Sequence, residues 1–138
     1  MKLHNLIVMI SAGAALAACG SSRITEPADL NNQKVFFGYD SAEIVDEARD
    51  NLLGQALYIK NRPEIAVQIA GNCDERGTTE YNLALGAKRA NAAKAVLVRD
   101  GVDSSRITTI SYGKERPDVL GSGEKVWQYN RNATTTVK

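Results

Sequence analysis

Histidine is all but absent from this 138-residue chain, whose one imidazole is His4. Even that one is expected to be lost. Lys2 precedes the apolar run "LIVMISAGAALAA" (Leu6 to Ala18), which has the charged start and short apolar middle of a secretory signal. A chain without imidazole supports no Ser-His-Asp or Cys-His catalysis and no ordinary histidine-containing zinc site. Cysteine is scarce as well, limited to Cys19 and Cys73. The apolar run falls short of the ~20 residues that a membrane-spanning helix needs. Charge of one sign is also lacking. There are 17 basic and 16 acidic residues, and removing residues 1–18 takes Lys2 alone, which leaves 16 of each. No global field then draws the protein to nucleic acid or to an anionic surface, so no nucleic-acid partner is expected. No cofactor and no metal are expected either.

What is present is the composition of one ordinary domain, 43% hydrophobic and 24% charged. The chain divides into a signal at 1–18, a leading cysteine and flexible tether at 19–34, and a folded domain at 35–138. The tether "GSSRITEPADLNNQK" is polar, holds Pro27 and shows no sustained period. Its extended reach is roughly 50 Å. "KVFFGYD" (Lys34 to Asp40) predicts a strand stopped by Gly38. Val45, Ala48, Leu52, Ala56 and Ile59 then recur at spacings of three and four, a helix closed by Pro63. "EIAVQIAG" predicts a second strand, apolar enough to be buried on both faces. The loop "GNCDERGT" leads to a helix from about Thr79 to Arg99, with Gly101 at the position after its cap. "RITTISYG" predicts a third strand, "EKVWQYNRN" a short helix, and "ATTTV" a weak last strand. The pattern implies an α+β fold, a two-layer β-α-β-α-β(-α-β) sandwich with helices on one face of a mixed sheet.

Asn82, Leu85 and Arg89 share one stripe of the second helix, beside an apolar stripe of Ala90, Ala93 and Leu97 suited to the sheet. Asp74 lies in the preceding loop. Asp40 ends the first strand and would come near that loop if the first two strands pair in parallel. Such a cleft joins two carboxylates, an amide and a guanidinium. An aspartate accepts from an ammonium and an arginine clamps a carboxylate, so the set fits a zwitterionic head group. Spacing equally allows Asp74 and Arg89 to pair with each other, or Asp74 and Glu75 to serve only as acids at a helix start. Arg89 is expected to be partly exposed, so that its removal leaves the fold intact. Cys73 reads as a small packed residue, without a base to activate it. Adjacent Asp74 and Glu75 do not make a glycosidase pair, whose carboxyls lie ~5 to 9.5 Å apart across the sugar. No enzyme is expected.

"GNCDERGTTEYNLALGAKRANAAKAVL" resembles the signature of the OmpA-like peptidoglycan-binding family, with Asp74, Gly77, Asn82, Leu85, Arg89 and Ala90 at the family's intervals. "FFGYD", "DERGT" and "ISYGKERP" extend the resemblance from about Val35 to Arg131, and are similar to the family's lipoproteins of the Tol-Pal system. "LAAC" (Leu16 to Cys19) resembles the lipobox of bacterial lipoproteins, which implies cleavage before Cys19 and its lipidation. Gly20 in the next place implies passage to the outer membrane of a Gram-negative cell, with the domain facing the periplasm. The family's ligand is the meso-diaminopimelate of uncrosslinked peptide stems, bound without covalent chemistry. Carried over, Asp74 receives its ammonium and Arg89 its carboxylate. Asp40, with the backbone near Phe37 and Gly38, lines the opposite wall, and Asn82 and Leu85 shape the floor. The resemblance also implies TolB and other Tol proteins as partners, with a part in envelope constriction at division. The alternative is a wall-anchoring lipoprotein outside the Tol system. Two features depart from the pattern: Asn132 follows Arg131 where a second arginine is common, and the polar tail "ATTTVK" suggests a weakly held sheet edge.

Overall fold

Alternation of residues over Gln33–Phe36 and Val67–Asn72 turns Val35, Val67 and Ile69 to one side, where they are buried, and forms two strands, β1 and β2. The computed structural model describes residues 23–138. The signal segment, Cys19 and Gly20 lie outside the described residues. Helix α1 (Asp46–Lys60) follows β1, with Asp46 and Glu47 in its first turn, where the helix dipole favours acid. Helix α2 (Thr79–Arg99) follows β2. The hydroxyl of Thr78 caps it, accepting from the Tyr81 N–H at 3.1 Å. Gly101, at φ 101°, ends it as expected, and the Val102 N–H closes back on the Leu97 carbonyl at 3.0 Å. Strand β3 (Ile107–Gly113), helix α3 (Glu124–Asn130) and strand β4 (Asn132–Val137) complete the described chain. Among the described residues no helix is long and apolar enough to cross a membrane.

The strand order is β1-β4-β2-β3. β2 pairs with β3 in parallel, while β4 runs antiparallel to both β1 and β2. The expected mixed sheet under helices is therefore present, but β1 and β2 do not pair. β4 separates them. The apolar sides of α1 and α2 (Leu52, Ala56, Ile59, Ala90, Ala93, Leu97) meet Val35, Val67, Ile69 and Ala133 in one core. Burying such side chains contributes roughly 1.5 to 3 kcal/mol each for the larger ones.

Three expectations change. The polar last strand is no loose edge: it is central, and Asn132, Ala133, Thr134 and Thr135 are buried. Its polarity is tolerated because each buried group is matched. Thr135 Oγ1 donates to Gln55 Oε1 of α1 at 2.6 Å, and Asn132 exchanges bonds with Asn72, Thr134 and Asp118. β2 is buried on one face only, since Gln68 and Ala70 point to the helix-free side and are half-buried. The tether is shorter than residue 34, because Leu30 is fully buried in the core and Glu26 pairs with Arg62 at 3.2 Å. Gly54 lets this segment lie on α1, as a Cβ there would sit 2.4 Å from the Thr25 carbonyl oxygen.

A second close approach sets the site. A Cβ on Gly71 of β2 would fall 1.7 Å from the Gly86 carbonyl oxygen of α2, so helix and strand touch backbone to backbone. That contact brings the first half of α2 down onto the end of β2, beside Asp74.

Candidate functional site

A cavity of about 250 Å³ opens where β2 ends and α2 begins. Tyr39, Asp40, Cys73, Asp74, Arg76, Gly77, Tyr81, Asn82, Leu85 and Arg89 line it. Five of the seven ligand residues expected from the sequence, Asp74, Arg89, Asp40, Asn82 and Leu85, therefore share one space. Phe37 and Gly38 do not line it. The Phe37 ring is buried in the core, and Gly38 contributes only its carbonyl.

Arg89 departs most from expectation. It is 1% exposed, not a partly exposed clamp. Its Nε donates to the Ser41 carbonyl at 2.8 Å, one terminal nitrogen to Asn72 at 2.9 Å and the other to Gly38 at 3.1 Å. The Phe37 ring lies 5.3 Å from the guanidinium carbon. Burial pulls its pKa down from the ordinary arginine value, yet a guanidinium stays charged in a protein. Among the described residues no carboxylate forms an ion pair with it. A guanidinium has more N–H donors than the three used here, so Arg89 keeps donors for the cavity, and the nearby Asp74 charge favours its cation without forming an ion pair.

Asp74 makes its ion pairs elsewhere, which disposes of the simple Asp74–Arg89 pair. It is 5% exposed, and its oxygens accept from the Arg76 N–H at 3.0 Å, from Arg76 Nε at 3.2 Å and from Arg76 Nη2 at 2.8 Å. Arg131 Nη1 stands 3.6 Å from the same Oδ2 that Arg76 Nη2 binds. Burial alone would raise the Asp74 pKa, but the hydrogen bonds and charge of Arg76, with Arg131 behind, outweigh it and hold the group below the usual carboxylate range. Asp74 is thus an anion at neutral pH. Arg76 is itself held flat between Tyr39, at 4.0 Å, and Trp127, at 3.9 Å.

The remaining walls are held by short bonds. Asn82 Nδ2 donates to the carbonyls of Arg76 at 2.8 Å and Thr78 at 3.0 Å, so its amide shapes the loop. Gly77, at φ 97°, lets that loop turn. Leu85 is a buried apolar wall, and Asp40 is exposed at φ 52°. The Cys73 thiol is buried against the Asn82 carbonyl at 3.3 Å, and burial pushes its pKa up. That is the environment of a packed thiol, not an activated one. Glu75 turns away from Asp74, accepting from the Ser122 hydroxyl and from Trp127 Nε1.

Sequence spacing missed Arg76, Tyr39, Tyr81 and Trp127. Arg76 was within reach, since an aspartate two residues before an arginine, ahead of a helix, favours a side-chain-to-backbone turn. Tyr39 and Trp127 were not, because only tertiary structure brings them to the same guanidinium. Asn132, in the place of a second arginine, lies away from the cavity and fastens β4 to β2 and to Asp118.

Comparisons with known proteins bear on the family and the fold. Residues 36–131 match the OmpA family. The chain is 40% identical over 144 residues to the peptidoglycan-associated lipoprotein of Pasteurella multocida, covering 96% of each chain. It is 39% identical over 147 residues to that of Haemophilus influenzae, again covering 96% of each. The crystal structure of the peptidoglycan-associated lipoprotein from Burkholderia pseudomallei superposes with a TM-score of 0.75 at 41% identity, over 78% of this chain and 91% of that one. The C-terminal domain of Helicobacter pylori MotB shares the fold, with a TM-score of 0.72 at 19% identity over 77% of this chain and 84% of that one. In sequence and in fold, this chain belongs to the OmpA family and is similar to its peptidoglycan-associated lipoproteins.

Proposed function

We propose that the protein is an outer-membrane lipoprotein that holds the cell wall without covalent chemistry, through the free end of meso-diaminopimelate in uncrosslinked stems. One observation carries this reading: Asp74 and Arg89 face the same cavity and do not pair with each other. The free end of that diamino acid has one ammonium and one carboxylate. Its carboxylate meets Arg89, which forms no ion pair among the described residues. Its ammonium meets Asp74, whose oxygens have lone pairs beyond those that Arg76 uses, with Asp40 opposite. Leu85 packs against the methylene chain, and Asn82 keeps the loop in shape. This is recognition and not catalysis, and the names of the relatives describe association.

Cys19 is the lipid attachment point in this reading, and the segment between it and the folded body spans from membrane to wall on the periplasmic side. Several acyl chains, at about 0.8 kcal/mol per buried CH₂, hold a protein far more firmly than one. TolB and other Tol proteins are the proposed protein partners, on the strength of the relatives' similarity and of "ISYGKERP". The second reading, an anchor outside the Tol system, keeps the same cavity and drops those partners.

The test is co-sedimentation of the detergent-solubilised full chain with purified sacculi, with free meso-diaminopimelate as competitor and Asp74→Ala as control. Saturable pelleting that the competitor and the substitution both remove is the expected result. A folded wild-type protein that stays in the supernatant, or pellets regardless of competitor, overturns the assignment.

A further inference from the structure

The helix-free face of the sheet holds a second built feature. The strand registers place Lys34, Thr134, Ala70 and Ile110 in one row across it, and Thr136, Gln68 and Thr108 in the next. A groove of about 300 Å³ lies over Lys34, Gln68, Ala70, Thr134 and Thr136 of these rows, lined also by Asn72, Tyr112, Arg116 and Asp118. Its floor is amide and hydroxyl, with Asn72 at 5% and Thr134 at 8% exposure. The loop after β3 raises one wall.

Charge in the groove is nearly cancelled. Lys34 pairs with Asp118 at 3.2 Å and also donates to Thr134 Oγ1 at 3.1 Å. Arg116 lies flat on the Tyr112 ring at 4.0 Å and has no acidic partner among the described residues. The Gln68 amide and the Thr136 hydroxyl bond to no protein group among the described residues, though both are half-buried. A near-neutral groove with amides, hydroxyls and a flat cation shelf suits neither an apolar helix nor a polyanion. It suits a chain of hydroxyls and N-acetyl groups.

Asn72 links this groove to the cavity. Its side chain lines the groove, while its carbonyl holds Arg89 at 2.9 Å. We infer that the open sheet face is a saccharide-binding groove, which takes the N-acetylated glycan of the same polymer whose peptide stem enters the cavity. This inference rests on the wall-binding reading above. Two weak handles on one polymer act together, because the second engagement is intramolecular. Gln68 and Thr136 supply the free hydrogen bonds, and Arg116 on Tyr112 supplies the flat surface.

The experiment uses the detergent-solubilised full chain, ¹⁵N-labelled, titrated separately with a β-1,4-linked N-acetylglucosamine tetramer and with free meso-diaminopimelate. The tetramer is expected to shift the Gln68 side-chain amide and the backbone amides of Thr134 and Thr136, and the diamino acid to shift the cavity residues. The double variant Gln68→Ala, Thr136→Val is expected to bind sacculi about tenfold more weakly, from the loss of two hydrogen bonds. Its diaminopimelate titration stays at the wild-type level, which also shows that the fold is kept. A tetramer that leaves the sheet-face amides unmoved, or a double variant that pellets like wild type, overturns the groove. Loss of the diaminopimelate response with sugar shifts intact refutes the cavity reading alone.

Discussion

Arg89→Ala is expected to weaken the fold as well as the grip on the wall. The side chain is 1% exposed and ties three carbonyls, from Gly38 and Ser41 after β1 and from Asn72 at the end of β2, to one point on α2. Each hydrogen bond contributes about 0.5 to 1.5 kcal/mol net, which for three gives roughly 1.5 to 4.5 kcal/mol. Lost packing against Phe37 adds to this. Relief of a buried, unpaired cation subtracts from it, and water entering through the open cavity can rebond some of the carbonyls. A net loss of about 2 to 3 kcal/mol follows, a large share of a typical 5 to 15 kcal/mol. Urea unfolding of wild type and variant, followed by circular dichroism, gives the midpoint shift at constant slope. The variant should still be folded without denaturant and should fail to pellet with sacculi. A midpoint within about 0.5 kcal/mol of wild type would refute the three-carbonyl tie, since surface substitutions change stability by that little.

Other outcomes follow from the same packing. Gly86→Ala should destabilise the domain by more than the ~1 to 3 kcal/mol of ordinary overpacking, because its Cβ would lie 2.3 Å from Ser111 Oγ and 2.9 Å from the Gly71 oxygen; an unchanged melting temperature would show that α2 does not press on β2. The Asp74 pKa is lower folded than unfolded, so its contribution to stability is complete above the unfolded value of ~3.9 and disappears as pH falls through the folded value. The stability gap between wild type and Asp74→Asn should accordingly be flat from neutral pH down to about 5 and should close only in stronger acid, as urea midpoints at several pH values would show. Cys73, buried with a raised pKa, should react with iodoacetamide far more slowly in the native protein than in urea, and equal rates would contradict its packing.

Much of the chain's architecture was readable from local pattern. The spacing of Ala48 to Ile59 and of Ala90, Ala93 and Leu97 marked two helices and their buried sides, because helical period and burial are local consequences of side-chain order, whereas Val45, expected on the first buried stripe, is an exposed residue just before α1. Thr78 and Gly101 marked the ends of α2, as capping depends on a few adjacent residues. Asp74, Asn82, Leu85 and Arg89 came to one cavity because they ride on one helix and its leading loop. Strand partners are different, since pairing is decided by loop paths and by competition among edges. "ATTTV" looked too polar for an interior strand, and Gln55, Asn72 and Asp118, all on other elements, together with Asn132 at the strand's own start, supply the bonds that let it lie between β1 and β2.

By itself, then, the sequence determined the layer architecture, the two main helices and part of the cavity's lining, Asp40, Asp74, Asn82, Leu85 and Arg89. Tertiary structure alone decided their electrical states. It buried Arg89 among three carbonyls with no carboxylate ion pair among the described residues, and it gave Asp74 to Arg76 and Arg131 instead. Spacing along a chain states which charges can meet. Burial and partner geometry, set by contacts between remote segments, state which charges remain for a ligand.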